Sequence, residues 1–226
     1  MNVNNLELRK EMTNTKKRSI VAGPIRNSEK TKQKLIDAVG IILNEKGYQH
    51  ITARNITEVT GLNRKLINHY FGNLENLINI YLNSTDYWTK NISPKLETIV
   101  TNNEQFGQAA IGEILATLFD EVHNSANLRG LLNWETSTYN DSLRKLADKR
   151  EELGSALFKL TDEDFKDSDI NLRAVLAIQI AGIYYLNLHA KTNGNSFCEI
   201  DINDPKGADT IKQALQTIIE LVYKNK

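Results

Sequence analysis

The sequence contains a single cysteine, Cys198, so no intrachain disulfide can form and no thiol pair can hold a metal. A chain built without disulfides fits a reducing compartment. Long apolar runs are missing too, and none reaches the roughly 20 residues that span a bilayer. The opening stretch, MNVNNLELRKEMTNTKKRSI, carries no apolar segment of signal-peptide length. These absences predict a soluble, cytoplasmic protein with no membrane partner.

Catalytic signatures are equally scarce. His50, His69, His123 and His189 show no HExxH or related metal-ligand spacing. Cys198 has no neighbouring histidine, and there is neither a GxSxG elbow nor a glycine-rich phosphate loop. Asp162, Glu163, Asp164, Asp167 and Asp169 form an acidic run without calcium-loop spacing, so a solvated connector is expected there. The chain is read as a non-enzyme without metal or cofactor.

Net charge is absent overall, with 28 Lys+Arg against 28 Asp+Glu, but the balance is uneven along the chain. Residues 1–75 hold 13 basic and 7 acidic side chains, a surplus of +6, and residues 76–226 carry the compensating −6. A basic front half points to an anionic partner. Part of the surplus belongs to a polar, aperiodic arm over residues 1–27, which includes Arg9, Lys10, Lys16, Lys17, Arg18 and Arg26.

Helical periodicity begins at Ser28, a candidate cap, and continues through Leu35, Ile36, Val39, Ile42 and Leu43 to Gly47. A second helix opens at Thr52, with Ile56 and Val59 expected inside. Gly61 then supplies a turn that needs positive φ, and Asn63 can cap a third helix running to Phe71. A fourth starts near Asn73. The remainder reads as helix at 106–124, 128–138, 143–160, 171–191 and 209–223, with no alternating segment long enough for a sheet. The expected fold is all-α with about nine helices. It comprises the arm, a three-helix segment over 28–75 and a larger helical domain over 76–226.

Two short helices joined by a glycine turn and packed on a preceding helix form a helix-turn-helix. In the third helix Ile67, Tyr70 and Phe71 lie at i, i+3 and i+4 and make the inward stripe. Arg64, Lys65 and Asn68 then point outward with His69 beside them. Arginine and lysine can donate to guanine edges or phosphates, and asparagine can pair with adenine. Leu66 at the margin can meet a thymine methyl, and Thr52 and Arg54 suit phosphate. These residues, with Asn63 and Tyr70, are the candidate DNA-binding set.

The stretch KLIDAVGIILNEKGYQHITARNITEVTGLNRKLINHYFGNLENLI, Lys34 to Ile78, resembles the N-terminal domain of tetracycline-repressor-like transcriptional regulators. The resemblance rests on Gly47-Tyr48, Thr52 with Ile56, Gly61, Tyr70-Phe71, and Glu75 followed at one remove by Leu77. Two positions depart from the pattern. Asn68 stands where the family usually has a phosphate-contacting tyrosine, and Leu74 where it often has a lysine. The resemblance implies a homodimer that binds a palindromic double-stranded DNA operator, usually as a repressor, and releases it on binding a small-molecule effector.

In the back half, Ala174, Ala177, Ala181 and Gly182 allow close helix approach. The helices over 171–191 and 209–223 are therefore the candidate dimer interface, against the alternative of an internal hairpin. Trp88, Phe106, Phe119, His123, Trp134, Glu135, Tyr139 and Tyr184 are the candidate effector-cavity residues, against plain core packing. A buried Glu135 would need a partner. The competing functional reading is an all-α small-molecule or protein-binding module that keeps the helix-turn-helix only as scaffold.

Overall fold

The computed structural model describes residues 24–102 and 106–226. The greater part of the basic arm expected over residues 1–27, including Arg9, Lys10, Lys16, Lys17 and Arg18, lies outside them. The described residues contain ten α-helices and no strand beyond a single bridge between Phe197 and Ile200. The helices are α1 (Pro24–Lys46), α2 (Ala53–Thr60), α3 (Lys65–Phe71), α4 (Leu74–Thr85), α5 (Ser93–Asn102), α6 (Gln108–Asn124), α7 (Ala126–Ser137), α8 (Asp141–Lys159), α9 (Leu172–Thr192) and α10 (Pro205–Lys224). The fold class is all-α, as the periodicity predicts.

The chain divides into two units, residues 1–33 and residues 34–226. In the first, the opening turns of α1 carry a Thr31 hydroxyl that donates to the Asn27 carbonyl at 2.7 Å and a Lys32–Glu29 pair at 2.9 Å. This helix begins four residues before the expected Ser28 cap.

In the second unit, local hydrogen bonds set the element boundaries. Gly47 ends α1 at φ 85°, and Gly61 closes α2 in the left-handed region at φ 67°, where a side chain would be strained. Thr52 Oγ1 accepts from Asn55 N, Asn73 Oδ1 from Asn76 N, and Asn171 Oδ1 from Ala174 N, each filling an orphan donor at a helix start. Asp204 caps α10 at Lys206 N, with Pro205 at its first position.

One helix escaped the sequence pattern. Between α4 and α5 the chain makes a wide π-helical stretch, Trp88–Ile92, and α5 continues directly from it. The segment lacks a long apolar stripe, so periodicity alone is silent there. Its first residues nevertheless anchor the fold. The Tyr87 hydroxyl donates to the Ile114 carbonyl of α6 at 3.1 Å. Burial, with help from Glu121 and Glu113, raises the pKa of that phenol well above the ordinary tyrosine range.

Two apolar clusters result. One gathers Leu35, Val39, Ile42, Ile56, Ile67, Phe71, Leu77 and Leu82 from α1 to α4, and continues into Leu131 and Trp134 of α7 and Leu143 and Leu146 of α8. The other is built on α6, where Leu118, Phe119 and Val122 are fully buried, against α9 and α10. The second helix departs from expectation: Ile56 is buried, but Val59 is exposed and Thr60 takes the inward place. A threonine can sit there because its hydroxyl donates back to the Ile56 carbonyl at 2.7 Å.

Gly207 lies in the first turns of α10, where a Cβ would come within 2.0 Å of the Asp201 carbonyl oxygen. Helix propensity alone makes Gly→Ala favourable by about 1 kcal/mol. The backbone clash opposes it and wins, because the carbonyl is fixed by its own chain. Gly207→Ala is therefore expected to destabilise the protein by about 1–3 kcal/mol in urea unfolding; a gain in stability would show that the approach is not tight.

Candidate functional site

Apolar residues of α1, α2 and α4 hold α3 by its underside. Ile67 and Phe71 are buried, Leu66 and Tyr70 are half-buried against the same cluster, and Arg64, Lys65, Asn68 and His69 are exposed. The turn that presents this face is fixed by hydrogen bonds: Leu62 N donates to Thr60 Oγ1 at 3.2 Å, and Lys65 N to Asn63 Oδ1 at 2.9 Å. The exit is fixed by the Asn76 side-chain amide, which donates to the Phe71 carbonyl at 2.9 Å. His69 and Tyr70 meet edge to face, with ring centroids 4.8 Å apart. On α2, Arg54 pairs at the surface with Glu58 at 2.9 Å. The result is a rigid ledge of donors: two cations, an amide and an imidazole on one solvent-facing side of a two-turn helix. Such donors suit the acceptor-rich edges and phosphates of a nucleic acid.

A second feature is a cavity of about 540 Å³. Its wall is mostly apolar and aromatic, with Trp88, Phe106, Phe158 and Tyr184 among Ile111, Leu115, Leu176 and Ile180. Three of the eight residues singled out from the sequence, Trp88, Phe106 and Tyr184, line it, and the Trp88 indole N–H donates to the Tyr184 hydroxyl oxygen at 2.8 Å. The other five stand elsewhere. Phe119 is at the centre of the α6 core, and His123 stacks on it at 5.9 Å. The His123 Nδ1 is 3.0 Å from Asn187 Oδ1, and burial lowers its pKa. Trp134 stacks on Tyr48 at 5.8 Å, at a smaller cavity of about 310 Å³ that both residues line. Tyr139 is 78% exposed and donates to Asp141.

Glu135 does not line the large cavity but has the partner its burial demands. Arg150 Nη1 donates to both of its carboxylate oxygens, at 2.8 and 2.7 Å. The same guanidinium donates from Nε to Asp86 Oδ1 at 2.7 Å, with Nη2 at 2.6 Å from that oxygen. Asp86 is fully buried, caps the end of α4 through its N–H to the Leu82 carbonyl, and accepts at its second oxygen from Thr89 N at 2.8 Å. Burial alone would lower the pKa of Arg150. The carboxylates of Asp86 and Glu135 outweigh it and hold the guanidinium above its ordinary range. Because Arg150 also lines the cavity, one side chain touches the empty space, the end of α4 and the body of α7. Sequence reasoning missed both Asp86 and Arg150, which are 64 residues apart and share no local motif.

The described residues contain no cluster of three or more His, Cys, Asp or Glu side chains suited to a metal, and no helix long and apolar enough to cross a membrane.

An all-α chain with a short helix-turn-helix in front of a cavity-bearing helical body has the tetracycline-repressor-like fold, and comparison with solved structures agrees. Two crystal structures of NalD from Pseudomonas aeruginosa, described as the secondary repressor of the MexAB-OprM multidrug efflux pump, superpose with TM-scores of 0.57 and 0.58. Each match covers 87% of this chain and 96% of that one, at 16% and 17% identity. No family model matches the sequence, and no curated protein does.

The Thr52 cap tests the local geometry. Thr52→Ala removes the acceptor for Asn55 N and is expected to cost about 1 kcal/mol in urea unfolding, whereas Thr52→Ser leaves stability within about 0.5 kcal/mol.

Proposed function

We propose that the chain is a homodimeric, ligand-responsive DNA-binding transcriptional regulator that acts as a repressor on a palindromic operator. The observation that carries this reading is the division of α3 between a buried underside, Ile67 and Phe71, and an exposed face of Arg64, Lys65, Asn68 and His69. Arg64, Lys65 and Asn68 address base edges. Thr52, Arg54, His69 and Tyr70 lie nearer phosphate, Asn63 sets the turn, and Leu66 meets a thymine methyl. The likeness of the fold to that of NalD, itself a repressor, supports the direction of control.

Dimerisation supplies the second reading head. On α9 the apolar residues Ala174, Ile178, Ala181 and Tyr185 follow helical spacing and are exposed, Ile178 at 74%. On α10, Ala214, Ile218 and Leu221 do the same, while Leu215, Ile219 and Val222 face the core. The Gln179 side chain, which donates to the Leu215 carbonyl at 3.0 Å, links α9 to α10, and both helices pack on α6. Two such pairs make a four-helix interface that brings the recognition helices about one DNA turn, ~34 Å, apart. The effector occupies the cavity beside Arg150, from where a displacement is felt at the end of α4.

Replacing Arg64 and Lys65 together by alanine is expected to abolish a gel shift on the gene's own upstream fragment at physiological salt, with folding and dimerisation unchanged. The wild type should lose affinity with added salt at a log–log slope of about −0.9 per phosphate contacted. Normal binding by the double variant, or no shift by the wild type, would favour instead the binding module with a vestigial helix-turn-helix, to which Asn68 and Leu74 lend support. Ile178→Asp buries a charge in the expected interface and should give monomers by sedimentation; an unchanged dimer would move the interface elsewhere.

A further inference from the structure

The cavity wall narrows the chemistry of its occupant, and this step rests on the regulator reading only in calling that occupant an effector. Four aromatic rings, those of Trp88, Phe106, Phe158 and Tyr184, face a space of about 540 Å³. The charged side chains on the wall are Arg150, Glu151 and Arg173. Arg173 is paired with Asp162 at 2.7 Å and lies 4.7 Å over the Phe158 ring, and Glu151 is exposed. Arg150 is held by two carboxylates, so its surroundings carry one surplus negative charge. An organic cation would find no free buried carboxylate on the wall, since Asp86 and Glu135 are engaged by Arg150, Asp162 by Arg173, and Glu151 is exposed. An organic anion would be a third carboxylate around one arginine. A neutral molecule meets neither penalty.

The Tyr184 hydroxyl then sets the polar requirement. Its oxygen accepts from Trp88 Nε1 at 2.8 Å, and its own proton has no acceptor among the described residues. Burial pushes its pKa up to about 12, so it remains a donor at neutral pH. A half-buried donor at an apolar wall gains from an acceptor, and an oxygen on the occupant supplies one.

We propose that the cavity takes an uncharged, ring-containing molecule that presents a carbonyl or phenolic oxygen to the hydroxyl of Tyr184. Trp88 holds the phenol in register from the π-helical stretch, and Arg150, close by, reports occupancy to Asp86 and Glu135.

A matched set of naphthalenes tests this with the full-length protein, by calorimetry and tryptophan fluorescence. The probes are 2-acetylnaphthalene, 2-ethylnaphthalene, 2-naphthoate and 2-naphthyltrimethylammonium. The ketone is expected to bind at least about 10-fold more tightly than either ion. Tyr184→Phe should weaken the ketone about 3- to 10-fold and leave the hydrocarbon 2-ethylnaphthalene unchanged, which also shows that the variant is folded. Either ion binding as tightly as the ketone overturns the proposal. So does an equal loss of ketone and hydrocarbon in Tyr184→Phe, or no binding by any probe up to about 1 mM. None of these readings involves DNA, so a failure here leaves operator recognition standing, and a failed gel shift leaves the cavity chemistry standing.

Discussion

A guanidinium between two carboxylates, at the junction of three helices, is the constraint on which the rest of the structure depends. Arg150 of α8 holds Asp86 at the end of α4 and Glu135 in α7. Such a cluster is not a bargain in stability. Desolvating three charges is expensive, and its repayment depends on every donor and acceptor finding a partner. Its value lies in position. The Asp86 carboxylate also accepts from Thr89 N, so the start of the π-helical stretch and the orientation of Trp88 follow from where the aspartate is held. The aromatic end of the cavity is thereby tied to the end of α4.

α7 carries that constraint toward the front of the molecule. Below Glu135, Trp134 stacks on Tyr48, which belongs to the turn between α1 and α2. One turn earlier Leu131 is fully buried in the cluster beneath α3, and Gly130 allows Asn44 of α1 so close that a Cβ would come within 2.5 Å of its Oδ1. Asn44 in turn donates to Asn127 at 2.6 Å. The apolar support of the exposed α3 face therefore extends into the helices that border the cavity. Interdigitated cores of this kind move as discrete bodies rather than bending continuously. The core thus joins the helices around the cavity to α3.

The helix-turn-helix was legible because everything that shapes it is local. Thr52, Asn63 and Asn73 act on backbone groups two or three residues away, and Ile67 and Phe71 follow from helical spacing. The error at Val59 and Thr60 has an equally local cause: they flank Ile56 on α2 at i+3 and i+4, and a threonine that satisfies its own hydroxyl competes with a valine for the inward place. The cavity was legible only in part. Its aromatic residues were recognisable as a type, but Phe119 and Trp134 went to the core, and spacing along one helix does not distinguish a wall from a core. The bond joining Trp88 to Tyr184 spans 96 residues, and the Asp86–Arg150 pair spans 64. Such pairings come from helix packing, which no single stretch of sequence encodes.

The account stands or falls on whether Asp86 and Arg150 act as one unit. The direct measurement is a double-mutant cycle in urea with Asp86→Asn, Arg150→Met and both together. If the pair is the joint described here, Arg150→Met strands the buried Asp86 and costs about 3 kcal/mol, Asp86→Asn costs less because Glu135 still pairs the guanidinium, and the double variant is destabilised no more than Arg150→Met alone. Additivity to within about 0.5 kcal/mol would mean that the two side chains act independently, and would contradict the account.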